Sequence, residues 1–441
     1  MSSRPSPRLS EAGTVKANLV ALGAAEGVAR LAQLFTVALL GRVLGPAGLG
    51  VVGVAWAVFQ LAAPFVQYAP ELMGARLIAQ GTQTDEAFID VTAIKLVIGV
   101  LSALAMAAAA VIVFVDPAER LQVAVQSLMA IVVALNGVWA FRGLRRFAAY
   151  AVVRSAQSVA LLGCLAAALT AVPAPWVVPA SEAAIGLAAS ALAYGLLLEW
   201  RVLPNLAGTL YRRTFQLRAR IGETIRFGVG SFLAGAMWSV PLLVGGVMLD
   251  AVSQGFLAGA LRLILAVSSL YQLVLQVFHP VLAHRYATDR AAGASLAAAL
   301  VIYAIVATAP VVAGLVVFAP WIVTVLLGPD FAPMAHVFAA LSWTLLPVVV
   351  ASVFGYALMA DGRYGLSLWL SAAGAAASLA GCTLAFYMRP QPDSVAVLTL
   401  VMTAVGLACA VAAWRYGLVR FSDIHPRQLA PSRIRKILME R

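Results

Sequence analysis

The sequence predicts an all-α polytopic membrane protein of about twelve transmembrane helices, grouped as two six-helix lobes. Three observations carry this. Of the 441 residues 63% are hydrophobic and only 11% charged, against the roughly 25% charged of an average soluble domain. Apolar runs near twenty residues recur along the whole chain, the length a hydrocarbon layer of roughly 30 Å asks of a helix. One long hydrophilic connector, residues 201–226, divides those runs six and six.

The spans read in order as 18–41, 47–69, 96–115, 121–141, 155–172, 180–198, 227–249, 255–282, 296–318, 334–360, 364–386 and 395–414. Residues 1–17 form a polar, basic leader, and the run it feeds is too long for a cleavable signal core, so the first span is expected to stay. The organisation that follows is an N-terminal lobe over 18–200, the connector 201–226, a C-terminal lobe over 227–414 and a basic tail over 415–441. Transporters are commonly built from repeated halves. "GLGVVGVAWAV" from Gly48 aligns with "QGFLAGALRLI" from Gln254 only at glycine and apolar positions. In the tail, Ile434, Ile437 and Leu438 share one helical face among basic residues, a pattern that rests on a membrane surface or stays unfolded in water.

The basic residues set the orientation. With the N-terminus inside, 25 of the 30 Lys and Arg residues fall on inner segments, and Arg42, Arg120 and Arg389 are the three on outer loops. Inner loops carry such an excess, so both termini are expected in the cytoplasm. The net charge of +12 is then a bilayer-orienting asymmetry, helped by anionic lipid, and no nucleic-acid partner is expected.

Chemistry that needs a folded outer loop has no room. The longest outer connector, Ala319 to Pro333, is short and mostly apolar, which argues against a polymerase, ligase or glycosyltransferase. No P-loop, GxSxG, HExxH or CxxC occurs, so the usual carriers of ATP hydrolysis, hydrolase and zinc chemistry are missing. Cys164, Cys382 and Cys409 lie on separate spans without ligand spacing and read as small apolar fillers. His279 and His284 flank Pro280 near a span boundary with no third ligand. No metal, no cofactor and no catalytic residue is expected.

Charges inside spans are the functional signal. In "GAAEGVARLAQLF", Glu26 and Arg30 stand one turn apart within the first span. Each such charge costs about 2.5–3.5 kcal/mol on insertion scales, whereas the i,i+4 pair returns about 0.2–0.5 kcal/mol. Arg30 lies twelve residues past Asn18, about 18 Å of helix, near mid-membrane. Arg262 lies in the eighth span with no acid at i±3 or i±4. Two arginines from different halves with one acid make a cationic interior. A guanidinium fork matches phosphate oxygens and keeps its charge when partly buried, so Arg30 and Arg262 are the expected contacts for an anionic ligand. Glu26 either orients Arg30 or carries a coupling ion. Gly23, Gly27, Gly41 and Gly45 recur at four-residue spacings that favour close helix contact.

One family resemblance goes further. "LLGRVLGPAGLGVVGVAWAVFQLAAPFVQYAPELMGARLIA" (39–79), "VLLGPDFAPMAHVFAALSW" (325–343) and "ALMADGRYGLSLWLSAAGAAASLAGCTLAF" (357–386) resemble the polysaccharide-transport, Wzx-type branch of the multidrug/oligosaccharidyl-lipid/polysaccharide exporter superfamily. The resemblance implies a V-shaped pair of lobes around a central cavity that opens alternately to the two sides. It implies a cargo of undecaprenyl-diphosphate-linked oligosaccharide, carried from the inner to the outer leaflet of a bacterial plasma membrane for O-antigen, capsule or exopolysaccharide synthesis. Polysaccharide polymerase and chain-length proteins join membrane lipids as the partners it implies. The related lipid II flippases also carry arginines in spans 1 and 8, the spans of Arg30 and Arg262. The chain departs from that pattern in its small number of buried acids. Two other readings stand beside it: a drug or cation extruder of the same superfamily, which would favour buried carboxylates, and a nontransport component of a glycan-assembly complex.

Overall fold

The computed structural model describes residues 8–79, 84–144, 146–198 and 214–419. The first half of the connector, residues 201–213, and the basic tail from residue 420, with the expected amphipathic face, lie outside the described residues. All regular structure among the described residues is helical. In chain order it comprises α1 (Arg8–Ala63), a π-helical turn (Pro64–Tyr68), α2 (Ala69–Ala79), α3 (Thr84–Val113), α4 (Pro117–Ala134), α5 (Ala140–Gly143), α6 (Phe147–Ala171) and α7 (Val177–Leu198). It continues through α8 (Thr214–Met248), α9 (Ala251–Thr288), α10 (Arg290–Val317), α11 (Ala319–Leu327), α12 (Met334–Ser342), α13 (Leu345–Ala360), α14 (Tyr364–Met388) and α15 (Val397–Arg415).

Ten stretches among the described residues are long and apolar enough to cross a membrane. The twelve expected spans reduce to ten for two reasons. Ala25–Ile78 is one stretch of 54 residues where two spans were expected, because helix runs on through "GRVLGPAGLG". The only break there is Gly45, at φ 65° and ψ −176°, a conformation that glycine adopts without the Cβ penalty. Pro46 follows, in the first-turn position where a missing N–H costs nothing. The second loss is α4, an 18-residue helix whose Glu119, Arg120, Gln122 and Gln126 lower its hydropathy. Large side chains such as Ile112, Trp369 and Leu400 are 82%, 76% and 71% exposed. Such outward apolar faces suit lipid, since in a bilayer they have no water to avoid.

The chain forms two compact units, one of residues 1–44 and 55–232, the other of 45–54 and 233–441. In the first, α3 packs on α4 and α6 on α7. Gly99 permits the α3–α4 contact, since a Cβ there would meet the Ala130 carbonyl at 2.8 Å. Phe88 stacks on Trp139 at 5.5 Å and meets Tyr194 edge-on at 5.0 Å, geometries that suit the ring quadrupoles. In the second unit, α9, α10, α13 and α15 enclose a core of Leu282, Leu296, Val353, Phe354, Leu358 and Cys409. Residues 45–54 belong to this unit because Gly255 admits them: a Cβ at 255 would fall on the Pro46 carbonyl. Cys382 and Cys409 are buried free thiols and Cys164 is half-buried.

Candidate functional site

Helical spacing brings Glu26 and Arg30 together on α1. Arg30 Nη2 lies 3.8 Å from Glu26 Oε2, and Nη1 donates to Gln33 Oε1 at 3.5 Å. Both contacts are long, and the Nε of Arg30 is buried without a protein partner. The Arg30 side chain is 37% exposed and that of Glu26 18%, so the guanidinium edge faces outward while its stem is covered. Arg262 lies in the second unit, half-buried on α9 and engaged in interactions of its own. His284 is exposed, and the His279 side chain lies outside the described residues. Among the described residues no three His, Cys, Asp or Glu side chains form a group able to hold a metal.

Glu26 is not the sole acid that neighbouring side chains cover. Glu71, Asp90 and Glu119 are buried, and Glu182 is half-buried. Lys95, which the charge pattern assigns to an inner loop, is wholly buried within α3. Its Nζ donates to Glu71 Oε1 at 3.0 Å and to the Asn136 carbonyl at 2.9 Å. The second Glu71 oxygen accepts from Arg142 Nη2 at 3.1 Å, and the Arg142 guanidinium lies 5.4 Å from the centre of the Tyr150 ring. Two cations thus share one carboxylate, tying α2 to α3 and to the short α5. These charges sit at the ends of apolar runs, where a hydropathy reading assigns them to loops. Pairing makes the burial tolerable, and pairing across 24 and 71 residues is invisible to local pattern.

A second polar group joins α1, α4 and α7. Glu182 Oε1 accepts from Trp56 Nε1 at 3.0 Å, and Oε2 accepts from Gln126 Nε2 at 3.2 Å. The sequence signal was present: Glu119, Gln122 and Gln126 recur at i, i+3 and i+7 on one face of α4. In the second unit, Asp361 binds Arg290 at 3.2 Å and Arg363 at 2.8 Å, and Arg363 stacks over Tyr416 at 3.7 Å. Nearby, Tyr286 donates to the Leu418 carbonyl at 2.6 Å. Burial pushes this phenol well above its usual range, Asp361 adds to the rise and Arg290 opposes it.

A family model described as "Polysaccharide biosynthesis protein" matches residues 15–285. No curated protein sequence matches the chain significantly. Among solved structures, the lipid II flippase MurJ in an inward closed conformation superposes with TM-score 0.72 at 12% identity, over 90% of this chain and 87% of that one. An inward-facing multidrug resistance MATE family transporter of the MOP superfamily gives TM-score 0.70 at 14% identity, over 88% and 94%. The MATE multidrug transporter DinF-BH gives 0.64 at 16% identity, over 94% and 98%. The fold is therefore that of MOP-superfamily transporters, in a multi-pass membrane protein.

Proposed function

This chain belongs to the polysaccharide biosynthesis protein family, and from that premise we propose that it is a flippase moving a polyprenyl-diphosphate-linked oligosaccharide across a bacterial plasma membrane. Alternating access is the proposed mechanism, with twelve passes in two six-helix lobes and both termini in the cytoplasm. Counting the 54-residue first stretch twice and adding α4 reaches twelve. The cargo serves O-antigen, capsule or exopolysaccharide synthesis, and polymerase and chain-length proteins are the proposed partners.

The observation that carries the reading is Arg30. Its stem is covered, its Glu26 contact is long at 3.8 Å, and its Nε has no protein partner, so hydrogen-bonding capacity is left for a phosphate. Arg262 is the proposed second contact. A phosphate group accepts two parallel N–H bonds from a guanidinium, a geometry no uncharged span residue offers. Likeness of fold to the lipid II flippase MurJ supports the cargo class.

The test is complementation of a strain lacking its oligosaccharide flippase, with export of the surface glycan as readout. Restored export is the expected result. A strain that stays deficient despite normal membrane abundance of the protein sinks the reading. A drug extruder of the same superfamily is the second reading, favoured by the Glu119 and Glu182 carboxyls within the apolar region. Restored drug resistance without glycan export selects it.

A further inference from the structure

The polar group between α1, α4 and α7 is built differently from the buried ion triad. Where Glu71 is held by two cations, Glu182 receives hydrogen bonds from two neutral donors, Trp56 Nε1 and Gln126 Nε2. Gln126 is 1% exposed, and its Oε1, on the same amide that faces Glu182, has no partner. Gln122, one turn away on the same face, is also 1% exposed, and neither of its amide atoms has a partner. Buried amide groups are almost always satisfied, and leaving one unsatisfied costs about 1–3 kcal/mol. One such amide against the carboxyl and a second one turn along the same helix face ask for an occupant.

We propose that Glu182, Gln126 and Gln122 form a proton-binding site inside the first unit, in which Glu182 takes up a proton from the aqueous phase and the Gln126 amide serves both of its states. With Glu182 ionised, Nε2 of Gln126 donates to Oε2, as found. On protonation the new O–H needs an acceptor. Rotation of the Gln126 amide by half a turn about its last bond places Oε1 where Nε2 stood, and that oxygen accepts from the carboxyl. The Nε2 freed by this rotation and the Gln122 amide are then complementary partners, donor to acceptor. One proton is gained and the negative charge is lost, while the Trp56 bond to the other carboxyl oxygen is kept.

Access is short, since Glu182 is five residues into α7, about 8 Å from its first residue at helical rise. The charged groups with described side chains on the elements around it are Glu26, Arg30 and Arg42 of α1, Glu119 and Arg120 of α4 and Arg154 of α6. Arg120 is turned away, its Nε donating to the Phe114 carbonyl at 2.6 Å. Arg42, Glu119 and Glu182 hold further interactions, so the site is defined by its amides rather than by a lone charge.

The experiment is pH-difference infrared spectroscopy on the full-length protein in lipid vesicles, in potassium buffer. Acidification is expected to raise a protonated-carboxyl band that Glu182→Gln lacks. Trp56→Phe removes a donor to the ionised form, and Gln126→Leu removes a charge-assisted bond from the ionised form and a weaker neutral one from the protonated form, so both are expected to move the titration midpoint upward, by about one pH unit for Trp56→Phe and by less for Gln126→Leu. These two variants decide the matter even if Glu182→Gln does not fold. A band that persists unchanged in Glu182→Gln, or a midpoint unmoved in both donor variants, overturns the proposal. So does sodium in place of potassium lowering the wild-type midpoint through the same residues, since the ligand would then be a metal cation.

Discussion

Lys95 and Glu71 form a fully buried ion pair, Nζ to Oε1 at 3.0 Å, with the lysine side chain wholly shielded and the glutamate 8% exposed. The arrangement is asymmetric: Glu71 has a second cation in Arg142, whereas Glu71 is the one acid among the described residues that binds Lys95.

Glu71→Gln should therefore be the more damaging single change. It strands a buried ammonium with a carbonyl and a neutral amide, at a cost of roughly 3–5 kcal/mol. Lys95→Met leaves Glu71 with Arg142 and should cost less. Glu71→Leu combined with Lys95→Met should recover stability relative to Glu71→Leu alone, because apolar replacement of a buried pair is often neutral. Thermal unfolding of the purified protein, followed by size-exclusion chromatography, ranks the variants. Equal losses in the two single variants would show that Arg142 does not hold Glu71.

Arg30→Ala and Arg262→Ala should lower glycan export sharply while membrane abundance stays near wild type, since what is lost is a contact to cargo. Arg30→Lys should fall between, keeping the charge without the bidentate fork. Glu26→Gln should reduce export modestly with an unchanged pH profile if the acid only orients Arg30, and should flatten that profile if it carries a coupling proton. Loss of the protein itself in Arg30→Ala would mark the pair as structural. Normal abundance with normal export in both alanine variants would remove the arginines from the cargo site.

Close approach at Gly255 makes a sharp steric forecast. Gly255→Ala puts a methyl group on the Pro46 carbonyl, backbone that cannot step aside, and should destabilise the second unit by about 1–3 kcal/mol or more. Gly27 has nothing within 4 Å of its would-be Cβ, and Gly27→Ala should be neutral or stabilising by up to about 1 kcal/mol through helix propensity. Melting temperatures of the two variants should move in opposite directions or differ by several degrees. Equal melting temperatures would contradict the packing of residues 45–54 on α9.

Asp250 caps α9, its carboxylate accepting from Val252 N at 3.1 Å and Ser253 N at 3.2 Å. Hydrogen bonding from Ser253, chiefly its side chain, and from the Val252 amide holds this carboxyl below its ordinary range, with partial burial opposing. A depressed folded value stabilises the protein above the unfolded value of about 3.9, and that stabilisation fades as pH falls through the lower folded value. Asp250→Ala should cost about 0.5–2 kcal/mol at neutral pH. Asp250→Asn keeps the cap without the titration, so its stability deficit at neutral pH should vanish in acid below the folded value. Thermal melts at both pH values give the comparison, and a deficit that persists in acid would assign the effect to shape rather than charge.

The helical membrane fold was legible in the chain because hydropathy is a local property: each apolar run states by its own length that it can cross a bilayer. The Glu26–Arg30 contact was legible for the same reason, being one turn of one helix. The break at Gly45 announced itself in the Gly-Pro pair. What the sequence could not determine was the state of charges at the ends of apolar runs. Glu71, Lys95 and Arg142 read as loop residues until α2, α3 and α5 bring both cations within 3.1 Å of the carboxylate, and only that convergence makes the burial of Lys95 tolerable. Trp56, Gln126 and Glu182 come from helices far apart in the chain and meet only on folding. A single charge in lipid is costly wherever it is written, and whether it stands there paired, hydrogen-bonded or facing water depends on neighbours that the tertiary structure alone supplies.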